Sequence, residues 1–318
     1  MSKNFALVPL CVILSFSCTA GSDSKQSSVP AAAGASSSLA APETYTDALG
    51  RRYVQKAIPA RIISLSPAVT EILFAIGAGD RVVGVTNYCD YPPEAKTRKS
   101  VGGFSGATVS MEQIRALEPD LVILSADMHS RIVSLLDELA IPSFAVEPRD
   151  FSQVYDVISL LGEITHHPDG AANVVAEMKK KIAAVEEQLK GKEKERVFWI
   201  LGTNPLMTAG AGTFVTEALS LGGGMNIFND AGEQWPQISI EQVLLRKPAW
   251  ILFGGDMAGA GNADPSDAIF KNPLLASLPA VKQGRIAIVN GDMVYRYGPR
   301  LADAVELIAM LLHGSISE

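Results

Sequence analysis

The chain has 318 residues, 47% of them hydrophobic and 19% charged, enough length and apolar content for two α/β domains with real cores. Its 27 basic and 34 acidic residues leave a net charge of −7 and a pI near 5.3. That balance excludes any broad electrostatic attraction for nucleic acid.

Residues 1–17 read as a signal peptide. Met1-Ser-Lys3 precedes an apolar stretch from Phe5 to Phe16, too short to span a bilayer comfortably. It ends in Leu14-Ser-Phe-Ser-Cys18, which resembles a relaxed bacterial lipobox and makes Cys18 the expected lipidated first residue of the mature protein. Residues 18–57 then comprise this lipidated N-terminus, a Ser/Ala/Gly-rich tether and an amphipathic lead-in from Tyr45 to Ala57. The tether composition cannot bury enough surface to fold. With Cys11 in the signal and Cys18 at the anchor, the folded body keeps only Cys89. An intrachain disulfide and a cysteine-based zinc site are thereby excluded there.

Residues 58–167 are expected to form an N-terminal lobe. Strand 61–65 leads into Ser66-Pro67, an N-cap with proline at the first helical position, and the helix runs to a left-handed cap at Gly77. Strand 82–85, a loop from Thr86 to Thr108, a helix after Ser110, strand 121–124, helix 131–139, strand 143–146 and helix 151–164 follow. This alternation predicts a parallel sheet with helices on both faces. The pair His166-His167 at the next junction is read as solvent-exposed.

Residues 168–192 form the predicted bridging helix. Ala172, Val175, Met178, Ile182, Val185 and Leu189 recur at spacings of three or four, an amphipathic period. About 20 residues at 1.5 Å rise make a rod of roughly 30 Å, long enough to join two lobes and stiff enough to limit their opening.

The C-terminal lobe, residues 193–318, starts with strand 196–201. Helix 213–221 stops at Gly222-Gly-Gly224, Gly254 to Ser266 reads as a surface loop, strand 285–289 is a core strand, and Pro299 to His313 is an apolar closing helix. The two lobes share an internal repeat. The stretches 109–124 and 238–253 have the same layout at an offset of 129 positions. In each a serine (Ser110, Ser239) precedes a glutamine (Gln113, Gln242) at capping-box spacing, a proline (Pro119, Pro248) ends the helix, and an apolar run supplies a strand buried on both faces. Each copy carries a first-turn glutamate, Glu112 or Glu241, favourably placed at the helix dipole.

No catalytic signature accompanies this frame. The four histidines have no metal-binding partner at useful spacing, and no nucleophile elbow, His-Glu-x-x-His or phosphate-cradling loop is present. Instead the loops carry aromatics: Tyr88-Cys-Asp-Tyr-Pro-Pro93, Gly102-Gly-Phe-Ser-Gly106 and Gln234-Trp-Pro236. An aromatic beside proline in a polar loop is often packing; three converging on one cleft would form apolar walls for a large flat ligand.

Taken in order, residues 61–71 (RIISLSPAVTE), 83–92 (VGVTNYCDYP), 119–123 (PDLVI) and the two glutamate motifs resemble the periplasmic-type binding proteins of ABC importers for vitamin B12, haem and iron-siderophores. The resemblance covers about Arg61 to His313. It implies an α/β fold of two Rossmann-like lobes with parallel-rich sheets bridged by a single long helix, the class III arrangement, and capture rather than turnover, so no enzyme and no catalytic cofactor or metal. Within the family the likeness to cobalamin binders is strongest. It implies Tyr88 and Trp235 at the ligand, with Phe104 where a tryptophan is expected. Cys89, Ser105, Gly106, Asn204 and Arg296 are further ligand-facing candidates. It also implies that Glu112 and Glu241 dock on an inner-membrane permease driven by a cytosolic ATPase. The expected protein is a monomeric, periplasmic or extracytoplasmic lipoprotein carrying cobalamin or a related corrinoid.

Haem is the first alternative, with Tyr88, Cys89 or His129 as axial candidates. A ferric siderophore is the second, drawn by Arg98, Arg296 and Arg300. An exported α/β enzyme using Asp90 and Glu94, and a structural or adhesive surface lipoprotein, are the alternatives from other classes.

Overall fold

The structure is a computed structural model in which residues 38–255 and 272–314 are described. All of these belong to the compact unit Gly34–Glu318. The signal segment, Cys18, most of the tether and the glycine-rich stretch from 256 to 266 lie outside the described residues.

The lead-in from Tyr45 to Ala57 falls in a β-hairpin. Strands β1 (Ser38–Thr46) and β2 (Arg52–Ala57) pair as an antiparallel hairpin, pinned at its turn by Asp47. That carboxylate accepts from the backbone of Leu49 and Arg51 and from the Arg51 guanidinium.

The first lobe is a five-stranded sheet, all parallel, in the order β5-β4-β3-β6-β7. Its strands are β3 (Ile62–Ser64), β4 (Val82–Val85), β5 (Lys99–Ser100), β6 (Leu121–Ser125) and β7 (Ser143–Val146). Strands β3, β6 and β7 are buried throughout, which is why they read as unbroken apolar runs. Helix α1 (Pro67–Ala75) begins as expected, with proline in its first turn, but Ser66 makes no capping bond; its hydroxyl faces the Tyr297 hydroxyl instead, at 3.3 Å. After α2 (Met111–Ala116), helix α3 spans Ala126–Glu138 rather than starting near Arg131, because Ser125 caps it directly off the strand end. Helix α4 (Phe151–Ile164) closes the lobe.

The bridging helix α5 runs from Pro168 to Gln188. Its inward stripe is Ala171, Met178, Ile182 and Val185; Ala172 faces solvent, one position off the expected stripe. At its start His166 is exposed, whereas His167 is half-buried, its Nδ1 2.8 Å from the Thr165 carbonyl.

The second lobe is a four-stranded sheet, again all parallel, in the order β11-β8-β12-β13. It comprises β8 (Glu195–Ile200), β11 (Gly224–Asn226), β12 (Trp250–Gly255) and β13 (Ile286–Asn290). A small ribbon, β9 (Gly202–Thr203) with β10 (Leu206–Met207), projects from the end of β8. Helices α6 (Phe214–Leu221) and α7 (Ile240–Arg246) and the C-terminal helix Leu301–His313 cover the sheet.

The repeat is structural as well as sequential. Helix α7 has the full reciprocal capping box between Ser239 and Gln242, while α2 keeps only the half in which Ser110 accepts from the Gln113 amide. Glu118 and Lys247 occupy equivalent places immediately before the prolines, and both are left-handed, with φ of 45° and 44°. One buried cluster extends from Ile62 and Phe144 in the first lobe through Met178 of α5 to Trp199 and Leu312 in the second. The lobes are thus welded along the bridge by apolar packing, each large buried side chain contributing on the order of 1.5–3 kcal/mol. Among the described residues no helix is long and apolar enough to cross a membrane.

Candidate functional site

In open parallel sheets, ligands bind beyond the carboxyl ends of the strands. The loops that leave β4 and β5 carry Tyr88 and Phe104 there, and helix α3, which leaves β6, carries His129 in its first turns; the segment that leaves β13 carries Tyr295, Arg296 and Tyr297.

On the first lobe these side chains make a ladder of three rings. Tyr88 is 48% exposed; it meets the half-buried Phe104 edge-on at 5.9 Å, and Phe104 meets the buried His129 edge-on at 6.2 Å. The two loops are tied by the Asn87 amide bonding the Gly102 carbonyl at 2.9 Å and by a short Ser100–Asn87 side-chain bond. Gly102 is obligatory: its φ is +112°, and a Cβ there would lie 2.4 Å from the Thr108 carbonyl oxygen. His129 anchors the ladder from behind. Its Nδ1 accepts from the Ser125 amide at 3.3 Å, so its Nε2 carries the proton and donates to the Phe104 carbonyl at 2.7 Å. Burial pushes its pKa below the usual histidine value, only partly opposed by these bonds. Both ring nitrogens are committed, which removes His129 as an axial ligand.

The second lobe has a matching ladder. Trp235, 39% exposed, meets Tyr295 edge-on at 6.0 Å, and Tyr295 meets the fully buried Trp199 edge-on at 6.3 Å. Trp199 Nε1 donates to the Tyr295 hydroxyl at 3.0 Å. Two glycines make the slot for the middle ring, since a Cβ on Gly254 would fall 1.9 Å from the Tyr295 hydroxyl and one on Gly291 would fall 2.5 Å from the ring. Burial raises the Tyr295 phenol to about 12. The Trp235 loop is held on both sides by backbone bonds, Gly210 amide to Gln234 carbonyl at 2.7 Å and Thr208 amide to Pro236 carbonyl at 3.2 Å.

One ion pair links the segments that carry the two ladders. Arg296, adjacent to Tyr295, bonds Asp90, two residues past Tyr88, at 2.7 Å. Burial alone would raise the Asp90 carboxyl, but the bond and charge of Arg296 outweigh it and hold it below the usual aspartate value. Arg296 also bonds Glu71 at 3.2 Å and Asp292 at 2.7 Å, and Arg300 forks onto Glu71 at 2.9 and 2.5 Å. Burial pushes the Glu71 carboxyl up and the two guanidiniums pull it back. Two cations thus face three carboxylates, leaving no surplus positive charge at the lobe junction.

Of the expected site residues, Tyr88 and Phe104 are in ring contact, Trp235 meets Tyr295, and Arg296 bonds Asp90 in the Tyr88 loop. Ser105 lies in the same loop, its hydroxyl 3.1 Å from that of Thr108; Gly106 directs its amide to the Met128 carbonyl at 3.3 Å. Asn204 is exposed at the tip of the β9–β10 ribbon. Cys89 departs from expectation. It is 3% exposed and packs in the core beside the Thr86 hydroxyl, with burial raising its thiol pKa, so it offers no ligand face. Arg98 bonds the Gly79 carbonyl and lies over the Phe74 ring, outside this cluster. Trp199, Tyr295 and Glu71 were not legible as site residues: Trp199 reads as part of an apolar strand, and nothing in the sequence pairs residue 71 with residue 300.

Glu112 and Glu241 are both exposed at the first turns of α2 and α7. Met111, Ala116 and Leu139 form a shallow apolar depression around Glu112, and Leu245, one turn after Glu241, is 80% exposed. A separate hollow of about 400 Å³ beside the N-terminal hairpin is lined by Arg51, Tyr53, Lys56 and Asp120; it lies against the amino ends of β6 and β7, remote from the rings. Among the described residues no cluster of His, Cys, Asp and Glu could hold a metal ion.

A family model described as periplasmic binding protein matches residues 62–292. The chain is 35% identical over 247 residues to the vitamin B12-binding protein of Yersinia pestis strain Pestoides F, covering 77% of this chain and 84% of that one. Among solved structures, the periplasmic vitamin B12-binding protein of Vibrio cholerae superposes with a TM-score of 0.68 at 31% identity, covering 80% of this chain and 97% of that one. The periplasmic haem-binding protein of Roseiflexus sp. RS-1, in its apo form, superposes with a TM-score of 0.71 at 27% identity, covering 81% and 99%.

Proposed function

The chain belongs to the periplasmic binding protein family, and from that membership we propose that it captures cobalamin or a related corrinoid between its lobes and delivers it to an ABC permease. The observation that carries this reading is the pair of matched ring ladders, one per lobe, on segments joined by the Asp90–Arg296 bond. Each presents a half-exposed ring backed by rings that cannot swing away, a preorganised apolar wall that loses little entropy on binding. Tyr88, Phe104 and Trp235 are assigned to the flat faces of the ligand, with Ser105, Gly106, Asn204 and Arg296 at its rim. Charge supports a neutral guest, because Arg296 and Arg300 are already matched by Glu71, Asp90 and Asp292. An anionic siderophore would have to displace those carboxylates.

Haem is the second reading, favoured by the exposed Tyr88 phenol, an available axial oxygen. Equilibrium dialysis of the purified protein against cyanocobalamin, haemin and a ferric siderophore separates the readings. Stoichiometric retention of cyanocobalamin is expected. Retention of haemin alone, with a tyrosinate-type spectrum lost in Tyr88→Phe, would install haem in its place.

Glu112 and Glu241 are assigned to permease docking, each a fixed negative charge beside an apolar contact. The protein is assigned to the periplasmic face as a monomer tethered through lipidated Cys18. Binding without turnover is the role assigned, in line with relatives that are named as binding proteins.

A further inference from the structure

The segment Arg296-Tyr-Gly-Pro-Arg300 leaves the second lobe between the short helix Asp292–Tyr295 and the C-terminal helix, yet its polar side chains reach into the first. Arg300 grips Glu71 of α1 in a bidentate fork, Arg296 reaches the same carboxylate and Asp90, and the Tyr297 hydroxyl meets Ser66. The Glu71 side chain is 1% accessible and the two arginine side chains 13% and 14%. The fit is close, since a Cβ on Gly298 would sit 3.1 Å from a Glu71 carboxylate oxygen. The grip also reaches the ligand loop, for Arg300 stacks on the Tyr91 ring at 4.0 Å and Arg296 holds Asp90.

We propose that Glu71 is a positioning residue, a buried interlobe pin that fixes the relative placement of the lobes and steadies the Tyr88 loop without touching ligand. Burying one carboxylate under two guanidiniums costs much of what it returns, and an apolar trio of similar volume would hold the lobes as firmly. What ionic groups add is direction: a planar fork accepts one relative placement of its partners, whereas apolar surfaces tolerate sliding. The bridge core keeps the lobes together, and the pin sets their relative placement. The ligand arm of the test below rests on the corrinoid reading; the first arm does not.

Glu71→Gln removes the charge but strands two buried arginines, so Glu71→Leu/Arg300→Leu serves as the second variant, removing the fork as a pair. Hydrogen exchange of the ligand-free proteins reads residues 86–92 and 296–300. Exchange about tenfold faster there in both variants, with α5 unchanged, is expected from loss of an ordering contact. Stopped-flow release of cyanocobalamin should accelerate about tenfold with little change in association rate. A purely structural residue would lower the melting temperature and leave both rates at wild-type values well below it. Wild-type exchange at both segments in the Leu/Leu variant overturns the pin. Accelerated exchange in a protein that never binds cyanocobalamin would leave the pin standing and retire the corrinoid reading instead.

Discussion

The two ring ladders have the same plan and different construction. In the first lobe the back ring is a histidine held by two hydrogen bonds to backbone, and it supports Phe104 through that residue's carbonyl. In the second the back ring is Trp199, fully buried in a core strand, and it supports Tyr295 side chain to side chain while two glycines close the slot. One wall is held by polar bonds to a loop, the other by packing inside a sheet. A binding surface can therefore be made rigid by either route, but the routes fail under different insults.

The largest expected effect sharpens that contrast. Trp199→Ala removes a fully buried large ring and should lower unfolding free energy by about 3–5 kcal/mol, whereas His129→Ala leaves the Ser125 amide and Phe104 carbonyl unpaired and should lower it by about 1–3 kcal/mol. Urea denaturation of both variants checks the order; a His129 loss equal to or above that of Trp199 would break the distinction between packed and bonded supports.

Next in size are the front rings. Trp235→Ala and Tyr88→Ala should each weaken corrinoid binding by about 1–2 kcal/mol, a factor of roughly 5–30, while barely moving stability because both rings are substantially exposed. Isothermal titration with cyanocobalamin decides this. Wild-type affinity after both changes removes the two rings from the site.

The smallest effect is a dependence on pH that only one ladder should show. His129 has its folded pKa depressed by burial, so its unfolded form takes up a proton first as pH falls through about 6.5. The stability it contributes is complete above that value and is lost progressively as pH falls toward the folded pKa. The second ladder has no group titrating there, with Tyr295 raised to about 12. Between about pH 7.5 and 5.5, wild type should therefore lose more thermal stability than His129→Gln. Parallel losses in the two proteins would mean that the first ladder is as insensitive to acid as the second.

Much of the scaffold was legible from local pattern. Strand 143–146 and helix 151–164 match their expected bounds because unbroken apolar runs and a 3.6-residue period report burial directly. The reading failed where side-chain pattern is weak. The lead-in from Tyr45 to Ala57 carries no local pattern that announces the hairpin β1–β2, and β5, β9, β10 and β11 are too short to show a period. At the site, the exposed Tyr88 and Trp235 stand out as aromatics in polar loops, but Cys89, next to Tyr88, faces the core, because the turn closed by its amide on the Thr86 carbonyl aims it inward. Arg296 was a candidate for its charge, yet that charge is spent on three carboxylates, two of them in the other lobe.

The sequence by itself determined the α/β frame, the repeated helix and strand in each half and the bridging helix, because these follow from periodicity, capping and turn chemistry within short windows, while Tyr88 and Trp235 are singled out by their place in polar loops and by the family resemblance. Only the tertiary structure decided which rings stand behind Tyr88 and Trp235, and that Glu71 meets Arg300. Those partners are separated by up to 229 positions, and a contact at that range is set by how sheets and helices pack, which no local propensity encodes.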